Sequence, residues 1–260
     1  MSDEIYPLPH FSTDLVGKVA VITGASAGLG RRFTRVLAAA GAAVVPVGRR
    51  QERLEQVKQE VEAAGGKCLP VVADIVEADA ITRIVDEAEA AFGTVTILVN
   101  NAGIPDAKRA HRMPLSVVDA VIDTNLRAPF LLSAEVARRL IAASTPGRIV
   151  NISSIGAYHY DGGAASLYSV TKAGVNRLTE VLAVEWVKYG INVNGIAPGA
   201  FDTEMMHGLI ERIGDPSGSL PRKRIGHVAL LDSTLLYLVS PSSEFVTGTI
   251  IKVDDGQRPR

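Results

Sequence analysis

From Lys18 onward, short β-branched runs alternate with longer stretches of helical period. The runs are Val19–Thr23, Ala43–Val47, Cys68–Val72, Ile97–Asn100, Arg148–Ile152, Asn192–Ile196 and Thr249–Val253. Most are continuously apolar, as strands buried on both faces should be. Between them the sequence predicts helices over Arg31–Ala40, Arg50–Ala64, Ala78–Ala91, Leu115–Ala143 and Ser169–Tyr189. In the second of these, Leu54, Val57 and Val61 recur at helical spacing. Strand–helix alternation of this kind predicts a parallel sheet covered by helices on both sides. Seven strand candidates within 260 residues make an α/β fold with one doubly wound domain, placed at residues 17–260. Residues 1–16, interrupted by Pro7 and Pro9, are expected to be an N-terminal arm. The stretch from about 200 to 224 breaks the alternation with Gly, Pro, Ser and charge. A long insertion after a strand's carboxyl end suits a substrate lid.

Composition narrows the picture. Apolar residues make up 47 % of the chain and aromatics only 5 %, so Ala, Val, Ile and Leu must build the core. Lys plus Arg number 27 against 28 Asp plus Glu, which gives no reason to expect nucleic acid as a partner. The single cysteine, Cys68, excludes an intrachain disulfide and argues against a thiolate metal site. It reads as a small buried hydrophobe and is compatible with a cytoplasmic location. The five histidines show no metal-ligand spacing, so no metal is expected. There is no secretory h-region and no run of apolar residues long enough for a membrane span.

Chemistry first surfaces at the first strand–helix junction. Thr23-Gly24-Ala25-Ser26-Ala27-Gly28-Leu29-Gly30 offers Gly24 for a tight turn, Gly28 for close approach to a pyrophosphate and Gly30 for close helix–strand packing. The helix N-terminus that follows presents free N–H groups to an anion. A glycine-rich string alone is weak. Its place at the first junction of a predicted parallel sheet strengthens it.

This T-G-x-x-x-G-x-G spacing resembles the short-chain dehydrogenase/reductase family, and the resemblance runs from about Lys18 to Gln257. Asn100-Asn101-Ala102-Gly103 matches the family's N-N-A-G, Asn125 its helix asparagine and Ser154 its serine. Tyr168-x-x-x-Lys172 matches Y-x-x-x-K, and Pro198-Gly199 the P-G after the sixth strand. Val246-Thr247-Gly248 and Val253-Asp254 resemble the terminal strand region, although Asp254-Asp255-Gly256 departs from the usual D-G-G. The resemblance implies a Rossmann-type fold and a nicotinamide cofactor. It implies cofactor contacts from Gly24, Ser26, Ala27, Gly28, Leu29 and Gly30, and from Asn101 to Gly103. Pro198 and Gly199 should shape the backbone near the nicotinamide, and Thr203 should meet its carboxamide or the pyrophosphate. Asp74 would contact the adenine amino group with Ile75 lining the ring, although Asp74 is equally placed to cap the next helix.

The second strand bears on which cofactor. NAD-binding sheets usually end it with Asp or Glu, which accepts hydrogen bonds from the adenosine ribose. Here the equivalent position is Gly48, followed by Arg49 and Arg50. Gly48 leaves room for a 2′-phosphate and Arg49 can pair with it, which favours NADP(H) over NAD(H). The alternative is that both arginines simply begin a solvated helix.

Tyr168 and Lys172 lie four residues apart, on one face of a helix. Free tyrosine titrates near 10, and a nearby ammonium or an oxidised nicotinamide stabilises the phenolate. By resemblance Tyr168 exchanges the proton, Lys172 also meets the nicotinamide ribose, Ser154 steadies the substrate oxygen, and Asn125 holds a water chain through its side chain or backbone. Ser153 and Ser154 point to opposite sides of an extended strand, so the catalytic serine is Ser154 or, less favoured, Ser153. His159 and Tyr160 are candidate pocket residues, Gly162-Gly163 suggests a tight loop, and Met205, Met206 and Leu209 are either an apolar lid or a helix stripe on the core.

Together these features predict an NADP(H)-dependent oxidoreductase that interconverts a ketone and a secondary alcohol. The alternative is a nucleotide-binding regulatory or sensor protein on the same fold. A small-molecule carbonyl or alcohol is the expected partner. Family relatives are usually tetramers, so a homotetramer or homodimer is expected, with Val175, Leu178, Leu182 and Trp186 as either core or interface.

Overall fold

The strand residues alternate between two cores. In β1 (Val19–Thr23), Val19 and Val21 join one apolar cluster while Ala20 and Ile22 join the other. That division explains the unbroken apolar runs: each strand is buried on both faces. The computed structural model describes residues 10–160, 162 and 165–257. The strands that follow are β2 (Ala43–Gly48), β3 (Lys67–Cys68), β4 (Val71–Val72), β5 (Ile97–Asn100), β6 (Gly147–Ile152), β7 (Ile191–Pro198) and β8 (Ile250–Val253). They form one parallel sheet in the order β3-β2-β1-β5-β6-β7-β8, with β4 also paired to β2. The winding reverses between β1 and β5, and the cleft opens there, at the carboxyl ends of the strands.

The helices are α1 (Gly28–Ala39), α2 (Gln51–Ala63), α3 (Ala78–Phe92), α4 (Leu115–Ile122), α5 (Ala128–Ala142), α6 (Ser166–Trp186), α7 (Glu204–Ile213) and α8 (Asp232–Val239). Apolar faces of α3, α5 and α6 cover one side of the sheet, and those of α1, α2 and α8 the other. The doubly wound α/β expectation therefore holds. Val175, Leu178, Leu182 and Trp186 are buried within the chain itself, so that stripe of α6 is core. Cys68 is buried too, and desolvation pushes its thiol up to about 12, which leaves it unreactive.

Three elements differ from expectation. The third strand is split into β3 and β4, because Pro70 between them has no N–H to give the ladder. The helix expected over Leu115–Ala143 is interrupted by a π-helical turn at Asp123–Arg127. Pro129 lies just beyond, and it has no N–H to donate to the Asn125 carbonyl four residues back. Helix α6 starts at Ser166 rather than Ser169, for a reason given below. The arm expected over 1–16 is described only from His10. There Leu15 is fully buried and its N–H donates to the Ala40 carbonyl at 2.7 Å, while Ser240 Oγ donates to the Ser12 carbonyl at 2.6 Å. Residues 10–16 thus pack on the domain; residues 1–9 and Gly163 of the expected tight loop lie outside the described residues. The 200–224 stretch folds as α7 plus a short 3-10 turn at Ser217–Ser219. Among the described residues no helix is long and apolar enough to cross a membrane.

Candidate active site

The cleft has a volume of about 1180 Å³ and runs from β2 to α7. Its floor is the glycine-rich turn between β1 and α1. Gly24 and Gly28 have φ of +64° and +52°, a region that L side chains avoid. A side chain on Gly24 would press on the Ala102 backbone at 2.8 Å, and one on Gly30 would run into the Gly24 carbonyl. Ala27 ends the turn without a side-chain cap, so the first N–H groups of α1 are left for an anion. Ser26, Ala27, Gly28 and Leu29 line this part. A cradle that a Cβ would fill, lying against uncapped helical N–H groups, fits a dinucleotide pyrophosphate.

Asn101 knits this floor to β5. Its side-chain amide donates to the carbonyls of Thr23 at 2.8 Å and Gly24 at 3.2 Å, and Thr23 Oγ1 accepts the N–H groups of Asn101 and Ala102 at 3.0 Å. Its polar head therefore serves the turn. Gly103 comes close to Lys172; a Cβ there would lie 3.4 Å from Lys172 Nζ and from Asn125 Oδ1.

Gly48, Arg49, Asp74 and Ile75 form one end of the cleft. Arg49 is largely exposed and its Nη1 lies 3.3 Å from Asp74 Oδ2. Asp74 Oδ1 accepts the Val76 N–H, also at 3.3 Å, while α3 begins at Ala78, preceded by Glu77, which gives no side-chain cap. Asp74 therefore shapes the turn after β4 and does not cap α3. Pro198, Gly199 and Thr203 lie at the opposite wall. Thr203 Oγ1 caps α7 by accepting the Met206 N–H at 3.3 Å. Met205, Met206 and Leu209 of α7 line the cleft, as do His159 and Tyr160.

At the far end, Tyr168 and Lys172 face the cleft from the first turns of α6. Lys172 is buried and its Nζ donates to the Ile152 carbonyl at 2.7 Å. That ammonium lies 5.7 Å from the centre of the Tyr168 ring. Burial pulls Lys172 down to about 8. Burial also pushes Tyr168 above its ordinary value, partly offset by a hydrogen bond with the Ser154 hydroxyl. The expected lowering of Tyr168 by Lys172 is not seen, because desolvation is the larger effect.

The two serines separate clearly. Ser154 Oγ faces Tyr168 and accepts the Gly156 N–H at 3.0 Å, whereas Ser153 is buried and donates to the Lys172 carbonyl at 3.2 Å. Asn125 is fully buried in the π-helical turn. Its Oδ1 accepts the Ile104 N–H, and its Nδ2 donates to the Ile104 carbonyl, both at 2.9 Å. Nδ2 also reaches Thr171 Oγ1 at 3.3 Å. The side chain is thus committed to the loop after β5 and to Thr171.

No motif or period in the sequence marks Asp106. It is buried, and its Oδ2 accepts the N–H groups of Leu167 at 2.8 Å and Tyr168 at 3.2 Å. A carboxylate on two free N–H groups of a helix N-terminus favours starting the helix there. This is why α6 begins early enough to hold Tyr168 within its first turn. The only local signal was an acid two residues beyond Ile104, with nothing to show its partner sixty residues on.

Residues 18–213 match the family model for short chain dehydrogenase. The chain is 35 % identical over 246 residues to the 2-dehydro-3-deoxy-D-gluconate 5-dehydrogenase of Escherichia coli K12, covering 93 % of this chain and 96 % of that one. It is equally identical over 243 residues to the 3-oxoacyl-[acyl-carrier-protein] reductase FabG of Thermotoga maritima, covering 93 % and 98 %. A solved structure of a candidate NAD(P)-dependent gluconate 5-dehydrogenase from Beutenbergia cavernae, with NADP bound at low occupancy, superimposes with a TM-score of 0.87 at 32 % identity, over 94 % of this chain and 98 % of that one. The chain belongs to the short-chain dehydrogenase/reductase family, and it is an oxidoreductase acting on CH–OH or carbonyl groups.

Proposed function

We propose that the protein interconverts a ketone and a secondary alcohol using NADP(H), with Tyr168 as the proton donor in the reduction direction. The observation that carries this reading is the hydrogen-bonded Tyr168–Ser154 pair, set beside buried Lys172 at one end of a cleft whose other end is a dinucleotide cradle. When bound, the nicotinamide supplies or accepts the hydride. Ser154 Oγ holds the substrate oxygen beside the Tyr168 hydroxyl, so that charge developing on that oxygen meets two donors. Tyr168 then gives its proton to the oxygen, and Lys172 stabilises the phenolate left behind. The proton is replaced through Lys172 and the Asn125 backbone carbonyl, which Pro129 leaves without its usual helical donor. The oxidation direction reverses each step.

The serine assignment has a direct check. Ser154→Ala is expected to lower kcat by about 10²-fold or more, because it removes a donor to the reacting oxygen. Ser153→Ala should leave kcat within a few-fold, and steady-state rates of the two variants decide between them. A large loss confined to Ser153→Ala would reverse the assignment.

Cofactor preference rests on Gly48 and the cations after it. Gly48 removes the carboxylate that would repel a 2′-phosphate, and the exposed Arg49 has only a weak exposed ion pair to give up. The Beutenbergia cavernae relative holds NADP in the same fold. Arg49→Ala is expected to weaken NADPH binding by about tenfold or more while leaving NADH nearly unchanged. Fluorescence titration with both nucleotides measures this, and equal losses would contradict the role given to Arg49. Exposed Phe130, Val170 and Val184 on α5 and α6 support the further reading that copies of the chain associate as a homodimer or homotetramer.

A further inference from the structure

The two arginines after β2 face different partners. Arg49 reaches along the cleft to Asp74. Arg50 instead donates from Nε and Nη2 to Ser26 Oγ, at 3.1 and 2.9 Å. Its Nη1 lies 2.9 Å from Glu204 Oε2 and 3.1 Å from Oε1. Ser26 belongs to the glycine-rich turn, and Glu204 is the first residue of α7. One guanidinium therefore joins the phosphate-binding floor to the lid helix.

Thr203, the cap of α7, rests on the same floor. A Cβ on Gly28 would stand 3.3 Å from the Thr203 methyl. Arg50 also sits where the usual second-strand acid is missing: a Cβ on Gly48 would lie 3.7 Å from the Ser26 Oγ that Arg50 holds. Its charge is thus in the open space that a 2′-phosphate would enter.

Glu204 is ionised at neutral pH. The hydrogen bond from Arg50 holds its carboxyl below the usual carboxylate range, and the nearby Arg53 and His207 act the same way. The Arg50 and Glu204 side chains are about half exposed, at 47 % and 51 %. An ion pair so exposed is weak. A phosphate monoester carries more charge and takes a guanidinium by two parallel hydrogen bonds, so it is the stronger ligand for Arg50. It would also repel the neighbouring carboxylate.

We propose that Glu204 is a cofactor-discriminating residue on the lid, whose carboxylate competes with a cofactor 2′-phosphate for Arg50. A phosphorylated dinucleotide frees the start of α7, and an unphosphorylated one leaves it latched to the floor. This rests on the NADP(H) reading above and adds to it a cost that NADP(H) must meet and a movement that NAD(H) does not cause.

The test compares the wild type with Glu204→Gln, which keeps the shape and removes the charge. NADP⁺ and NAD⁺ are titrated calorimetrically, and amide hydrogen exchange is followed across 204–213 with each at saturation. The Glu204→Gln variant is expected to bind NADP⁺ about three- to tenfold more tightly with NAD⁺ affinity unchanged. In the wild type, the α7 amides should exchange faster with NADP⁺ than with NAD⁺, and in Glu204→Gln that difference should vanish. A general loosening of α7 on losing its first-turn acid would raise exchange with both cofactors alike and would not mimic this. Unchanged NADP⁺ affinity in Glu204→Gln, or equal tightening for both nucleotides, overturns the proposal. Tighter wild-type binding of NAD⁺ than of NADP⁺ would instead count against the cofactor preference. The Glu204 role would then stand or fall on whether the variant's gain is still confined to NADP⁺.

Discussion

Replacing Tyr168 by Phe is expected to cut kcat by about 10²–10⁴-fold while leaving nucleotide affinity within a few-fold. The substitution keeps the ring in its place on the first turn of α6 and deletes only the hydroxyl. In the proposed mechanism what is lost is the hydroxyl that passes its proton to the substrate oxygen. Ser154 remains anchored by the Gly156 N–H and can still hold that oxygen, which is why binding should survive. The pH dependence follows from the same geometry. Burial pulls Lys172 down to about 8, so its ammonium is charged below that value. Tyr168 lies above its ordinary value near 10, so it holds its proton throughout the neutral range. Reduction needs both groups protonated, and kcat/KM for reduction should therefore fall as pH rises through about 8. Measured rates from pH 6 to 10 check this; a rise across that window would contradict the assignment.

The second large effect belongs to the turn. Gly30→Ala is expected to destabilise the protein by about 1–3 kcal/mol, a fall in Tm of roughly 3–10 °C, and to weaken nucleotide binding by about tenfold or more. A methyl group there would meet the Gly24 carbonyl and stand 2.5 Å from Asn101 Nδ2. Neither neighbour can yield cheaply. The first is backbone in a left-handed turn, and the second holds that turn to β5 through two hydrogen bonds. Gly208→Ala provides the contrast. Gly208 lies within α7 with nothing within 4 Å of its added Cβ, so alanine there should leave stability unchanged or raise it by up to about 1 kcal/mol. Thermal melts of the two variants with and without NADPH separate a local clash from a general intolerance of side chains.

The parts legible in the sequence were those decided locally. Apolar runs buried on both faces announced the parallel sheet, and the glycine spacing announced the turn, because each follows from residues adjacent in the chain. The split third strand and the π-helical turn trace to Pro70 and Pro129, whose missing N–H groups act only once the strand ladder and the helix have formed. The features hidden from the sequence involve pairs far apart along the chain. The early start of α6 depends on Asp106, and the latch on the lid joins Arg50 to Glu204; no period or motif marks either pair. The sequence favours Ser154 over Ser153 by resemblance but does not show which of the two faces α6. Strand alternation makes the two exclusive, but only the packed helix says which one meets Tyr168. Spacing puts Lys172 on the Tyr168 face of α6 but carries no depth of burial, and burial is the largest influence on the Tyr168 hydroxyl.

The central claim is that the Tyr168 hydroxyl and a bound nicotinamide act together on a carbonyl. The most direct measurement is NADPH consumption at 340 nm by the wild type and Tyr168→Phe, side by side, over a ketone panel that includes keto-sugar acids and 3-oxoacyl thioesters. The account predicts turnover of at least one ketone by the wild type and its loss by about 10²-fold or more in a variant that still binds NADPH. Tight NADPH binding by both proteins with no turnover of any ketone, or equal turnover by both, would contradict it.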